Sequence, residues 1–447
     1  MATARQLAAE ALLRVEQDGA YSNIALDKKL EQYQKNAGKD GEARARSEAA
    51  FASTLFYGVL ERRLTLDCCI ENYAAKGLKG MSPEVLQILR VAFYQLLFMP
   101  NIPESAVVNE AVKLTRQMRR SSASGFVNGV LRSFLRDGRA LPHFDDPLKE
   151  LSILYSIPQW MFAEWQRDYG LETAEQMASA FNRPAPVFVR CNPLRCTPEE
   201  LCTGLEREGI SAGEEEGLPG CVRLSHTGNL RRLEAFRAGW FHVQDKSSQL
   251  CALALGAKAG ERVLDLCAAP GGKTFTAAQG MENRGQADAF DLYEKRVELI
   301  RQGAERLGLT SVACGVRDAL EFRPDSPLYD RVLCDVPCSG LGVLGRKPEI
   351  RYKDPDDFAG LPRIQYKILE NASKYVKEGG TLVYSTCTLR REENQEVVHR
   401  FLKEHPDFSV VPLPAECGAY GGREGELTLL PHVDGTDGFY ICRMEKK

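Results

Sequence analysis

The stretch Val263-Leu-Asp-Leu-Cys-Ala-Ala-Pro-Gly-Gly-Lys-Thr274 constrains this chain more than any other. An apolar strand runs into a Gly-Gly turn and then a helix, and from Gly256 onward apolar strands alternate with helices. Strands are predicted at Arg262–Leu266, Gln286–Phe290, Arg331–Cys334 and Thr381–Ser385, with another near Ser311–Val316. Such alternation predicts a parallel sheet covered by helices on both faces. Gly271 and Gly272 remove side chains where a ligand can lie against the backbone, and the N–H groups opening the helix face it. Asp291 closes the second strand 20 residues after Gly271, where a doubly wound fold sets a carboxylate on a ribose diol.

Missing features narrow the ligand. There is no Gly-x-Gly-x-x-Gly fingerprint, and position 267 is Cys where a phosphate-binding Gly-Lys-Thr loop needs its first Gly. Pyrophosphate recognition is therefore disfavoured. A nucleoside without phosphates, its ribose held by Asp291, fits better, and S-adenosylmethionine is the commonest such cofactor.

Residues 1–140 read as all helix, with Leu7, Ala8, Ala11, Leu12 and Val15, then Leu86, Leu89, Ala92, Phe93 and Leu96, at helical spacing. The Pro- and Asp-rich stretch 141–147 is a linker. Residues 148–182 are helical again, with Trp160 and Trp165 expected in the core. Val187–Arg190 and Cys221–Leu224 then flank a helix opened by Thr197-Pro-Glu-Glu, a small α+β module. The expected organisation is a helical domain over 1–140, a helical linker plus α+β module over 148–240, and an α/β Rossmann-like domain over 241–447.

The net charge of −3 hides an asymmetry, since residues 1–140 carry 20 Lys/Arg against 15 Asp/Glu and the remainder 38 against 46. The excess gathers at Lys113, Arg116, Arg119 and Arg120, then Arg132, Arg136 and Arg139, which suits a phosphate-rich partner. A solvated helix face is the plain alternative. Fourteen cysteines without a Cys-x-x-Cys pair or other framework spacing point to a reducing compartment and no metal. No apolar run approaches the ~20 residues of a membrane helix, and the first residues lack the apolar core of a signal peptide. A cytoplasmic, metal-free monomer is expected.

Asp335 and Cys338 fall just past one strand tip, in Arg331-Val-Leu-Cys-Asp-Val-Pro-Cys338, and Cys387 falls past another, in Thr381-Leu-Val-Tyr-Ser-Thr-Cys387. Ligands of open α/β sheets bind beyond the carboxyl ends of strands, so both thiols should face one crevice. A single Cys is usually an inert buried hydrophobe, which describes Cys334 and Cys267. Two at strand tips suit a particular chemistry. C5 of a pyrimidine is a poor nucleophile toward a methylsulfonium, and thiolate addition at C6 makes it enamine-like. The adduct must then lose the C5 proton and expel the thiol, so one cysteine can attack and the other assist release. Asp335 at the N3 edge of the base would stabilise charge developing in the ring.

These residues resemble the NOL1/NOP2/Sun family of RNA cytosine-C5 methyltransferases over nearly the whole chain. The family's loop appears as Cys267, Ala268, Ala269, Pro270, Gly271, Gly272 and Lys273. Its Asp-Ala-Pro-Cys-Ser box is Asp335-Val-Pro-Cys-Ser339, with Val336 for Ala. Its Thr-Cys-Ser box is Thr386-Cys387-Thr388, followed by Glu392-Glu393-Asn394. The resemblance implies Cys387 as nucleophile and Cys338 as the release residue. It implies cofactor contacts from Cys267–Lys273, Asp291, Asp318 and Asp335. Asn109–Val112 and Phe126–Arg132 resemble a NusB-type RNA-binding domain, and residues 184–235 stand where the family has a small RNA-recognition-like module. Gln244-Asp245 before Ser247-Ser248 matches the approach to the catalytic domain. The implied activity is S-adenosylmethionine-dependent methylation of a cytidine C5 in small-subunit (16S) ribosomal RNA. A DNA cytosine-C5 enzyme attacking through Cys338 is one rival, disfavoured by Cys387 and the helical domain. A non-enzymatic RNA-binding factor is another, disfavoured by the intact Cys338, Cys387 and Asp335.

Overall fold

The computed structural model describes residues 2–18, 22–36, 42–422 and 424–447. The chain divides into two compact units, Met1–Asn182 with Gly345–Lys353, and Arg183–Leu344 with Asp354–Lys447. No described helix is long and apolar enough to cross a membrane.

The first unit is helical. Its core is built by Leu12, Phe56, Ile88, Phe93, Val108 and Phe134, the last two aromatic rings meeting at 4.5 Å for Phe93 and Phe134. Helix Pro83–Phe98 follows Ser82 and has Pro at its first turn, where a missing N–H costs nothing. Its buried Arg90 is chelated by Asp67 at 2.6 and 2.8 Å and by Glu16 at 2.8 Å. Trp165 is buried as expected, stacked on Phe181 at 5.7 Å. Trp160 is only half-buried, a correction with a simple cause: the buried stripe of helix Gln159–Tyr169 is Met161, Phe162 and Trp165, and position 160 lies beside it.

Residues 345–353 close this unit. Arg351 is fully buried and donates to the carbonyls of Glu61, Tyr155, Ser156 and Phe181 and to Asn182 Oδ1. Those acceptors lie at the ends of helices Glu42–Glu61, Pro147–Tyr155 and Leu171–Phe181. One cation thus caps three helix C-termini, where unsatisfied carbonyls concentrate negative potential.

The second unit holds two sheets. Strands β1 (Val187–Cys191), β2 (Ser211–Glu214), β3 (Cys221–Ser225) and β4 (Phe241–Val243) pair antiparallel in the order β2-β3-β1-β4. Thr197 and Glu200 form a capping box on helix Pro198–Arg207 beside them. The large sheet contains β5 (Arg262–Asp265), β6 (Gln286–Asp291), β7 (Val312–Val316), β8 (Tyr329–Asp335), β9 (Val376–Thr386), β10 (Phe408–Val410), β11 (Glu426–Leu429) and β12 (Phe439–Lys446). Its order is β10-β12-β9-β8-β5-β6-β7, with β11 against β12. Strands β5 to β9 are parallel, as predicted. The strict alternation fails after β9, because β12 runs antiparallel to it and to β10 and β11. The link between β11 and β12 is too short for the crossover that a parallel pair requires.

Candidate active site

The carboxyl ends of β9, β8, β5, β6 and β7 lie side by side and carry the predicted residues in turn. Cys338 follows β8 and Cys387 follows β9, and their sulfurs are 3.2 Å apart. Strand-tip position in the sequence therefore did bring the two thiols together. The hydrogen bond with Cys387, burial, and the charges of Cys387, Glu393 and Asp335 push the Cys338 thiol well above its usual range. That shift keeps the proton on Cys338. Cys334 is buried in the strand body, and burial raises its thiol and that of Cys267 well above the usual range.

Asp335 closes β8, where Lys273 Nζ reaches its Oδ2 at 2.7 Å and the Ser385 hydroxyl donates to its Oδ1 at 2.7 Å. Burial alone would lower the Lys273 pKa, but Asp335 and the neighbouring thiols outweigh it, and the ammonium is held charged. Lys273, expected among the cofactor contacts, thus directs its ammonium at Asp335. Asp265 ends β5, accepts a hydrogen bond from the Thr274 hydroxyl at 2.7 Å, and leaves its Oδ1 without a partner. Burial raises its carboxyl to about 7, against opposing help from Thr274. Sequence reasoning missed Asp265, although a lone acid at the end of an apolar strand was a usable signal.

Gly271 turns the chain at φ 108°, and an added Cβ would lie 2.3 Å from the Phe275 ring, so only glycine fits. Helix Gly272–Gly280 starts there. Behind it Gln244 accepts from the Thr276 hydroxyl at 2.6 Å and meets buried His242 at 3.1 Å. Burial drops that imidazole to about 3, so it stays neutral. Cys267, Ala268, Ala269 and Pro270 line the turn before Gly271. Buried Asp291 ends β6, where Arg296 bridges its Oδ2 at 3.1 Å to the Ala269 carbonyl at 2.9 Å. Asp318 follows β7 half-buried, its Oδ1 accepting from the Leu320 N–H at 2.9 Å. A buried carboxylate at β6, a side-chain-free turn at β5 and an unpartnered Asp265 oxygen form a cradle whose donor set fits a nucleoside with a cationic sulfonium.

A parallel sheet with this cradle at its carboxyl edge and two thiols beside it defines a methyltransferase. Comparison with known proteins makes the class specific. Residues 252–445 match the family described as 16S rRNA methyltransferase RsmB/F, residues 2–136 the NusB family, and residues 157–231 a ferredoxin-like domain of RsmF/B-like methyltransferases. The chain is 39% identical to the "Probable ribosomal RNA small subunit methyltransferase B" of Bacillus subtilis over 99% of this chain and 98% of that one. It is 34% identical to the protein of the same description from Synechocystis, over the full length of both. The crystal structure of PH0851 superposes with a TM-score of 0.82 at 27% identity, covering 100% of this chain and 99% of that one. The chain belongs to the RsmB/F methyltransferase family.

Proposed function

We propose that this enzyme methylates C5 of a cytidine in small-subunit ribosomal RNA, through a covalent bond between Cys387 and C6, with Cys338 assisting release. The observation that carries this reading is the pair of sulfurs at 3.2 Å, one at the tip of each neighbouring strand. A site that needed a single nucleophile has no use for a second thiol there. The raised Cys338 thiol keeps its proton, which suits it to release rather than attack, and Cys387 is the proposed nucleophile. Asp335, fixed between Lys273 and Ser385, meets the N3–N4 edge of the base. S-adenosylmethionine supplies the methyl group from its sulfonium. Gly271 and Gly272 with Cys267–Pro270 hold it against the backbone, Asp291 takes its ribose, and Asp318 lies toward its base. Water takes the C5 proton, the C5–H electrons re-form the C5–C6 double bond, and the Cys387 sulfur leaves as a thiolate that can accept the Cys338 proton.

The names of the curated relatives support ribosomal RNA as substrate. On the helical unit Arg116 and Arg119 are exposed, and they meet RNA phosphates. Arg120 is committed elsewhere, to a two-pronged pair with Glu84 at 3.0 and 2.7 Å.

The test is a denaturing gel of labelled small-subunit RNA with enzyme and S-adenosylmethionine. Cys387→Ala abolishes both turnover and the retarded covalent band, whereas Cys338→Ala accumulates that band. The opposite pattern would assign the attack to Cys338.

A further inference from the structure

Glu393 and Asn394 follow the Cys387 turn and are fully buried; the only effect given to either above is the Glu393 charge on Cys338. Each is tied to the residues on both sides of one thiol, Glu393 reaching one of them through Gln365. Around Cys338, Glu393 Oε2 accepts from the Ser339 N–H at 2.9 Å and from Gln365 Nε2 at 2.8 Å, and that same amide donates to the Pro337 carbonyl at 3.0 Å. Around Cys387, Asn394 Oδ1 accepts from the Thr386 hydroxyl, and its Nδ2 donates to the Thr388 carbonyl at 3.0 Å. The two cradles are joined by the Ser339 and Thr388 hydroxyls at 2.8 Å, a link that Ser or Thr at 388 can make. The Tyr384 hydroxyl, from β9, donates to the Glu393 carbonyl at 2.6 Å and roots both cradles in the strand that carries Cys387.

Hydrogen bonding alone does not require a carboxylate at 393. One of its oxygens takes both donors, while Oε1 has no hydrogen bond and faces Arg390 Nη1 only at 3.8 Å. A buried anion so incompletely matched disfavours a second anion nearby, here the Cys338 thiolate. Asn394 brings no charge to Cys387.

We propose that Glu393 and Asn394 are positioning residues with separate duties, Glu393 holding Cys338 for release and Asn394 holding Cys387 for attack. This rests on the proposed function. Displacing a reacting atom by about 1 Å costs on the order of 100-fold in rate. Asn394→Ala therefore slows adduct formation by about that factor, and no covalent RNA accumulates. Glu393→Ala forms the adduct at nearly the wild-type rate but releases it about 100-fold more slowly, lowering kcat with KM unchanged. Glu393→Gln keeps an acceptor for both donors and restores release, with its pH profile moved to lower pH because the charge opposing Cys338 ionisation is gone. Asn394→Asp, which keeps the Thr386 acceptor and loses the Thr388 donor, serves if Asn394→Ala fails to fold.

The experiment uses the full chain, S-adenosylmethionine and small-subunit RNA containing 5-fluorocytidine, whose C5 cannot shed a proton and so traps the adduct, alongside ordinary RNA for release. Absence of a wild-type adduct on the fluorinated RNA overturns the proposed function itself. A wild-type adduct that Cys387→Ala abolishes, combined with Glu393→Ala and Asn394→Ala slowing formation and release by equal factors, leaves that function standing and overturns the division of duties.

Discussion

In the helical unit Arg90 is surrounded by Asp67 and Glu16, and each of its three nitrogens donates to a carboxylate. In the catalytic unit the arrangement is reversed: the Lys273 ammonium pairs with Asp335, and Asp265 Oδ1 has no hydrogen-bond partner. Each cluster has a buried charged group at its centre, Arg90 in one and Asp265 in the other, so each carries a desolvation cost that only matched partners offset. The first is saturated and serves the fold. The second retains unmatched charge at the edge where ligands bind, as expected where positioned groups must meet a charge that arrives later. Removing charge should therefore act in opposite directions in the two places.

The sharpest test is Asp265→Asn. The folded carboxyl titrates near 7 against 3.8 for the free group, so between those values the folded state keeps a proton that the unfolded chain has released. Stability must then fall as pH rises from about 4 to 7 and level off above. Asn retains the acceptor for Thr274 and abolishes that slope, making the variant more stable than wild type at pH 8 by a margin bounded near ~4 kcal/mol. Denaturant unfolding across pH would refute this if the slope survived in the variant. Arg90→Met should do the reverse, destabilising the helical unit by about 3 kcal/mol, since two carboxylates lose their cation. An unchanged denaturation midpoint would mean that Asp67 and Glu16 simply rehydrate.

The same contrast explains what could be read from sequence. Strands β5 to β9 are apolar or alternating runs that take turns with helices, so local pattern revealed them. β2 is short and mostly exposed, β4 spans Phe241–Val243, and neither stands out from a loop. Strand β12 is apolar enough to be seen, but its antiparallel partnership with β9 is a long-range choice that no local period records. In the site, residues announced by strand tips and turn glycines were legible: Asp291, Gly271, Cys338 and Cys387. Lys273 was legible as part of the loop but not as the partner of Asp335, because 62 residues separate them. The ties to Pro337 and Ser339 were invisible for the same reason, and those from Asn394 to Thr386 and Thr388, though local, follow no periodic pattern.

Asp291→Ala probes the ligand side of the catalytic unit without disturbing its fold. Arg296, its partner, is half-exposed and can rehydrate, so stability should hold. Affinity for S-adenosylmethionine should drop by about 1–3 kcal/mol through loss of the ribose contact. Titration calorimetry giving wild-type affinity would remove Asp291 from the cofactor site.

The smallest effect belongs to exposed charge on the helical unit, which should govern neither stability nor chemistry. Arg116 and Arg119 are exposed, and Arg119 sits in a left-handed turn at φ 59° between helices Glu104–Gln117 and Ser124–Arg136. If they meet RNA phosphates, each replacement by Ala releases one fewer counterion on binding. The slope of log affinity against log salt should flatten by about one unit per residue, with the melting temperature unchanged. Arg120→Ala is the internal control, because its guanidinium is already neutralised by Glu84. It should move the slope less than either neighbour does. Equal slopes for all three variants and wild type would make this basic face a solvated surface and move RNA recognition to another part of the chain.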